Sequence, residues 1–347
     1  MTVLPDTLRE YLQEMYEKAG FSEADARVCA DCTVQTNLWG VDSHGILRTP
    51  AYIKRVGTGA VNTEPNISYI KGEDGPLSLL SGDDGMGYVV ADRGMNAAIE
   101  KAKKFGMGTV LVNRSNHFGA AALFTKKAAD AGMFGVATTN VVPNIGMPGN
   151  KKAVTGNNPV ALSAPLCEPY NFSLDISMSA VSGGKLLLAM KKGEKIPTNW
   201  AIDTNGNPTD DPKEGFDGIF LPTGMHKGLG MSLFIDMITG VLSGGPFLQN
   251  MMGMYKYPDK PSGTTHLFNA IDIEFFMGRR EYDERITSWV QMVKDTPMAD
   301  PSQRQIIPGE LEYRTEQERR RDGIPLPDDL VGDLKNLEEE LGMSNRL

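Results

Sequence analysis

The stretch Thr109-Val-Leu-Val-Asn-Arg-Ser-Asn-His-Phe-Gly-Ala-Ala-Ala-Leu-Phe-Thr125 changes character in its middle. Thr109–Asn113 is β-branched and apolar and reads as a strand, whereas Gly119–Ala131 is rich in alanine and reads as a helix. Gly87–Phe105 before it has helical spacing, and Gly135–Thr139 after it reads as another strand. Such alternation of helix and strand defines an α/β body. His117 falls in the strand-to-helix turn, where ligands gather in open α/β sheets. A histidine that only caps the helix fits the same position.

Further out, Ile67–Lys71 and Leu77–Ser81 flank a Gly-Glu-Asp-Gly turn and read as a hairpin. Beyond Thr139 comes a loop of Pro, Gly and Asn from Pro143 to Pro159. Strands are expected at Val160–Ala164 and Phe172–Ile176, a helix at Ser179–Lys192, and turns through Trp200–Pro212. Lys227–Leu242 is apolar nearly all round and is expected to be a buried helix. Leu267–Phe276 reads as a strand. Both chain ends are helical. Asp6–Ala19 stops at Gly20, and a second helix begins at Ser22, where Ser22-Glu-Ala-Asp25 resembles a capping box, and runs to about Trp39. The tail is helical from about Tyr282, including Glu310–Arg321 and Asp328–Leu341; its Glu318-Arg-Arg-Arg321 run reads as a solvated face. The expected organisation is a helical domain from residues 1–74 plus 286–347, with a mixed-sheet domain, 75–285, inserted between them.

Composition narrows the function. The chain has 347 residues, 40% hydrophobic and 23% charged, with a formal net charge of -9. That balance fits a globular protein and argues against nucleic acid or anionic membrane as the main partner. No stretch is long and apolar enough to span a bilayer, and the first residues carry no basic start followed by an apolar run. The three cysteines, Cys29, Cys32 and Cys167, fit a reducing, cytoplasmic setting. Cys29 and Cys32 form a CxxC in the middle of a helix with no second ligand pair, so they read as small buried hydrophobes and no metal site is expected.

Chemistry concentrates in Asp42-Ser43-His44-Gly45-Ile46-Leu47-Arg48. An imidazole passes protons near neutral pH, and an arginine fork holds a carboxylate. Pro50 makes a turn at His44 with a new helix from Thr49 to Gly57 the better reading than one continuous helix. The bland alternative is a polar helix start. No GxGxxG or GxxxxGK[ST] occurs, so no standard nucleotide loop can be read. Lys227, beside His226, opens a helix, where free N–H groups and the dipole favour an anion. Asp175, Ser177 and Ser179 lie at a strand end, and Pro308-Gly309-Glu310 forms a loop before a helix; either set could hold ribose hydroxyls or merely cap.

Taken in order, these segments resemble the type-2 malate/L-lactate dehydrogenase family, which also holds ureidoglycolate, sulfolactate, diketogulonate and cyclic-imine members. The resemblance runs through Asp42-Ser43-His44-Gly45 with Arg48 and Tyr52, Ser115-Asn116-His117-Phe118-Gly119, and Gly156-Asn157-Asn158-Pro159. It continues through Asp175 with Ser179, Gly184-Lys185, Trp200-Ala-Ile-Asp203, Lys227-Gly228, Pro308-Gly309-Glu310 and Gly323-Ile-Pro-Leu326. The family implies a non-Rossmann mixed-sheet cofactor domain, NAD or NADP as cofactor, a homodimer and a small carboxylate substrate. It implies interconversion of 2-hydroxy and 2-oxo acids, or else reduction of a cyclic 2-imino acid. His44 resembles its proton donor, with His117 the alternative acid/base. Arg48 resembles the carboxylate clamp, and Ser43 and Tyr52 resemble substrate-orienting neighbours. Asp175, Ser177, Ser179, His226, Lys227, Pro308, Gly309 and Glu310 resemble cofactor-binding positions. Met178, Asn157 and Val141 depart from the family's usual residues near the cofactor cleft and bear on NAD against NADP. A metal-dependent lyase and a non-catalytic nucleotide-binding protein are the rival classes.

Overall fold

A computed structural model describes all residues, Met1–Leu347. In chain order the elements are β1 (Thr2–Val3), α1 (Pro5–Lys18), α2 (Glu23–Leu38), two 3-10 turns (Asp42–His44 and Ile46–Arg48) and α3 (Thr49–Gly57). Next come β2 (Ser68–Lys71), β3 (Leu77–Ser81), α4 (Gly87–Phe105), β4 (Met107–Ser115), α5 (Ala122–Asp130), β5 (Met133–Thr139), β6 (Val160–Ala164) and β7 (Phe172–Ile176). There follow α6 (Gly183–Lys192), β8 (Ala201–Ile202), α7 (Pro212–Asp217), β9 (Ile219–Phe220), α8 (His226–Asp236), β10 (Thr264–Asp272) and α9 (Arg279–Lys294). The chain closes with α10 (Glu310–Asp322), β11 (Ile324–Pro325) and α11 (Asp328–Leu341).

The centre is a seven-stranded mixed sheet in the order β2-β3-β4-β10-β5-β6-β7. Only β3 and β4 run parallel, and they are joined through α4 as a parallel crossover requires. β10 arrives late in the chain yet lies between β4 and β5, antiparallel to both. That insertion sets His266 beside Thr139 and within reach of Ser115. α4 and α5 pack on one face of the sheet, and α2 packs on them as a further layer. The largest apolar core runs without a break from Leu8 and Tyr11 in α1, through the sheet, to Leu330 and Leu334 in α11. β1 pairs with β11, which ties the two chain ends together.

Local sequence explains much of this. Pro5 opens α1, where a missing N–H costs nothing. Ser22 caps α2 by accepting the Asp25 N–H at 3.2 Å. The reciprocal half of the capping box is not made, because the Asp25 carboxylate pairs with Arg93 at 3.2 Å instead. Cys29 is fully buried and Cys32 partly so in mid-helix, as small hydrophobes.

Three expectations need correction. The helix from Lys227 is not buried all round. Met231, Phe234, Met237, Val241 and Leu242 are exposed, because the sheet covers only one side of α8 and of the π-turn that continues it, Met237–Val241. The strand expected to reach Phe276 ends at Asp272, whose side chain caps a 3-10 turn by accepting the Glu274 N–H at 3.0 Å. The basic run in α10 is not wholly solvated, since Arg319 turns inward to Asp42.

Candidate active site

The Asp42–Arg48 segment is two successive 3-10 turns that Thr49 and Pro50 convert into α3. Gly45 sits between them because a Cβ there would stand 2.1 Å from Asn37 Oδ1. That same oxygen accepts the Ile46 N–H at 2.8 Å, and Asn37 Nδ2 donates to Asp42 Oδ1 at 2.7 Å. Arg319, from the other end of the chain, closes on both Asp42 oxygens at 2.5 and 2.9 Å. The turn is therefore held from below and behind, while Ser43, His44 and Arg48 face a cleft.

His117 enters from the β4–α5 turn, and its ring stacks on His44 with centroids 5.7 Å apart. Gly119 follows with a φ of 74°, which favours glycine and swings its N–H back onto His117 Nδ1 at 3.3 Å. Tyr52 Oη lies 2.5 Å from the same nitrogen. Burial holds the Tyr52 phenol far above its ordinary range, so it stays protonated and donates. With two donors directed at Nδ1, that nitrogen is the acceptor and Nε2 carries the hydrogen. His117 is thus a neutral donor. Burial, then the nearby His44 and Arg48, hold it far below its ordinary range. His44 is tied less firmly. Its Nδ1 lies 2.9 Å from Ser43 Oγ, a hydroxyl that can donate or accept. Burial, with help from Arg48, lowers His44 to about 4. Arg48 returns Nε to the Ser43 carbonyl at 2.7 Å and bonds the Tyr255 hydroxyl through one terminal nitrogen. Its remaining N–H groups are available to an anion. The convergence of His44 and Arg48 therefore comes from this back-bond and not from a shared helix face.

The cleft that opens here has a volume of about 1390 Å³, enough for a dinucleotide and a small acid together. Asp175, Ser177, the N-terminus of α6 at Gly183 and Gly184, and Gly309 all line it. Asp175 Oδ2 accepts the Ala122 N–H at 2.9 Å at the start of α5. Protein crowds this carboxylate and raises it to about 6, although its free face opens into the cleft. Ser182 makes no side-chain cap on α6, so the first N–H groups of that helix point to the cleft unclaimed, as a diphosphate would need. Asn144 lines the cleft and leaves Oδ1 buried without a partner. A carboxylate, free helix N–H groups and an orphan acceptor in one slot fit a nicotinamide dinucleotide.

Other expected positions fall elsewhere. His226 and Lys227 open α8 as anticipated, but they are exposed and outside the cleft lining. The helix N-terminus that does face the cleft is that of α6. Ser179 is buried behind Ser177, 3.1 Å away, and donates to the Val181 carbonyl. Pro308 is exposed, and its carbonyl accepts the Ser173 N–H at 3.0 Å. Glu310 is buried; Arg304 and Arg314 both engage its Oε1, and the Tyr170 hydroxyl donates to its Oε2 at 3.3 Å, which leaves one lone pair of Oε2 open. Of the departures, Val141 and Asn157 line the cleft, and Met178 packs in a small apolar cluster behind it.

Sequence reasoning missed two groups. His266 is fully buried, 2.8 Å from both Thr139 Oγ1 and Ser115 Oγ, and stacks on Phe118 at 4.6 Å. It pins the ends of β4 and β5 from which the site loops depart. Tyr255 meets Arg48 across 207 residues of sequence. No local pattern signals either contact.

With the fold and this site in view, the class is clear. The model of the malate/L-lactate dehydrogenase family matches residues 3–335, and the chain belongs to that family of nicotinamide-dependent oxidoreductases, which interconvert 2-hydroxy and 2-oxo acids. A solved structure of sulfolactate dehydrogenase from Methanocaldococcus jannaschii superimposes with a TM-score of 0.92 at 34% identity, covering 99% of this chain and 98% of that one. A malate dehydrogenase from Pyrococcus horikoshii is 36% identical over 347 aligned residues, 97% of this chain and 95% of its own. A ureidoglycolate dehydrogenase (NAD(+)) from Escherichia coli is 29% identical over 333, covering 95% and 94%. No helix is long and apolar enough to cross a membrane.

Proposed function

We propose that the enzyme reduces a small 2-oxo acid, and oxidises the matching 2-hydroxy acid, at the Arg48 end of the cleft. The observation that carries this reading is the meeting of His44, His117 and Arg48 within one cleft wall. Arg48 binds the substrate carboxylate. His44 moves the proton, because its Nδ1 faces a hydroxyl that tolerates either protonation state. His117 serves as a fixed donor to the substrate oxygen through Nε2–H, since the donors at Nδ1 oppose the imidazolium form. Ser43 and Tyr52 orient the two rings. A bound nicotinamide supplies or accepts the hydride. Asp175 and Ser177 hold its sugars, and the α6 N-terminus with Gly183 and Gly184 holds its diphosphate.

NAD is the preferred cofactor. Asp175 and Glu312 line the cleft without a cationic partner, whereas Lys126 there is paired with Asp130, a lining that disfavours an added phosphate. The ureidoglycolate dehydrogenase (NAD(+)) named above agrees in direction. The substrate is of the malate, lactate or sulfolactate kind named for the relatives. A homodimer would cover the apolar face of α8 at Met231, Phe234 and Met237. The test is to follow NADH and NADPH oxidation with a panel of 2-oxo acids and cyclic imines. Faster oxidation of NADPH overturns the cofactor assignment. Turnover of imines only overturns the substrate class.

A further inference from the structure

Arg55 is the largest fully buried side chain in the protein, 2% exposed, on α3 one turn after Tyr52. A buried guanidinium is normally paired with a carboxylate. Arg55 has none. Its single partner is the carbonyl of Lys260, at 2.8 Å, and its Nε has no partner at all. Lys260 ends the loop that carries Tyr255, the residue bonded to Arg48. Thr58, also at the end of α3, donates to the Pro258 carbonyl of that loop at 3.1 Å. The loop therefore rests on α3 through Arg55 and Thr58, and its tip closes over the carboxylate clamp.

An uncompensated buried cation is costly, and a structural latch does not require one, because a neutral donor could hold a carbonyl. Resting on the substrate reading above, we propose that Arg55 is a positioning residue with two tasks. It latches the Tyr255 loop onto α3, and its unopposed charge, set behind Tyr52 and His117, prepares the pocket for an anionic substrate. The substrate carboxylate then completes a charge balance that the folded protein leaves open. The charge also acts on the imidazoles. His117 faces His44 and Arg48 from the 3-10 turns, Tyr52 and Arg55 from α3, and His266 from β10. No carboxylate faces it. Removing one of the two guanidinium cations near it, Arg48 and Arg55, raises the pH at which the site protonates.

The experiment compares Arg55→Gln and Arg55→Lys with the parent in NAD-linked oxidation of the best 2-hydroxy acid, each across pH. Arg55→Gln keeps a neutral donor and loses the charge. It should raise the substrate KM roughly tenfold while kcat falls less, the size of one lost charge interaction. The acid limb of its kcat/KM profile should move to higher pH. Arg55→Lys keeps the charge and should hold the parental acid limb, with KM between the two. If both variants lose kcat and KM alike with the acid limb unmoved, Arg55 is a structural latch only and the charge role is overturned. If neither variant changes KM, both tasks are overturned. A parent that turns over no 2-hydroxy acid would instead sink the substrate reading. If Arg55→Gln does not fold, the KM and acid limb of Arg55→Lys against those of Thr58→Val, which loosens the same loop without touching charge, decide the matter. A raised KM in Thr58→Val equal to that of Arg55→Lys, with both acid limbs parental, leaves no role for the charge.

Discussion

Substrate binding should draw a proton into the site, and the structure sets how much. In the free enzyme His44 sits at about 4, so at pH 6 only about 1% of it is charged. A carboxylate docked on Arg48 offsets the cation that helps depress this histidine. Two unit charges interact by about 4 kcal/mol at 4 Å and about 2 kcal/mol at 8 Å, for an effective dielectric of 20. At about 1.4 kcal/mol per pKa unit, that lifts His44 by roughly 1.5 to 3 units. The charged fraction at pH 6 then rises to roughly 0.2–0.9, and this is the proton that the reduction consumes. The assay is calorimetric titration of the NADH-loaded enzyme with oxamate, an unreactive 2-oxo acid analogue, in two buffers of different ionisation enthalpy. Net uptake should fall within that range in the parent and vanish in His44→Gln. Zero uptake in the parent would refute the coupling. Uptake that survives in His44→Gln and disappears in His117→Gln would move the proton role to His117.

Tyr52→Phe removes the donor to His117 Nδ1 but keeps the ring packed edge-on to Tyr88 at 5.8 Å, so kcat/KM should drop roughly tenfold while stability falls by about 1 kcal/mol; unchanged kcat/KM would remove Tyr52 from the site. Arg48→Lys replaces a fork by a point charge and should raise the KM for the 2-oxo acid with kcat affected less; steady-state kinetics reads this directly. Acid should unfold the protein early. His44, His117 and His266 are all held below their ordinary value by burial, His44 to about 4 and His266 to about 3. The stability they permit is full above about pH 6.5 and is lost as pH falls towards those values, at roughly 1.4 kcal/mol per unit for each group. Asp175, raised to about 6, works in the opposite sense between about pH 6 and 4, but its exposure to the cleft screens it, so it offsets only part of one histidine's loss. The net loss from pH 7 to 5 is about 5 kcal/mol, and urea midpoints that do not move between these values would contradict it. Asp42→Asn loosens the Arg319 fork beneath the catalytic turn, and should lower kcat more than it lowers the melting temperature; a loss of stability with kcat intact would make that ion pair merely structural.

Much of the fold was legible because local rules suffice for it. The spans of α4, β6 and β7 follow from periodicity and from the turn residues that bound them. Pro50 alone was enough to replace a continuous helix at His44 by a turn. The π-turn after α8 and its exposed apolar face were not legible, because an apolar helix reads the same whether a sheet or another surface covers it. The anion site proposed here is on α6, whereas the sequence pointed to the start of α8, for a related reason. The N-termini of α6 and α8 both offer free N–H groups in sequence, and only their positions in the fold decide that α6 faces the cleft.

By itself, the sequence determined the chemical repertoire: two histidines in turns, an arginine near one of them, and no standard nucleotide loop. The order of its motifs determined the family. Tertiary structure decided how these groups work. It sets β10 between β4 and β5, so that His266 braces the site through Thr139, 127 residues earlier in the chain. It brings Arg319 under Asp42, Tyr255 onto Arg48 and Tyr52 onto His117. Short-range signals record backbone preference and capping, which depend on neighbours in the chain. Tautomer, charge balance and acidity depend on neighbours in space, and the fold alone selects those.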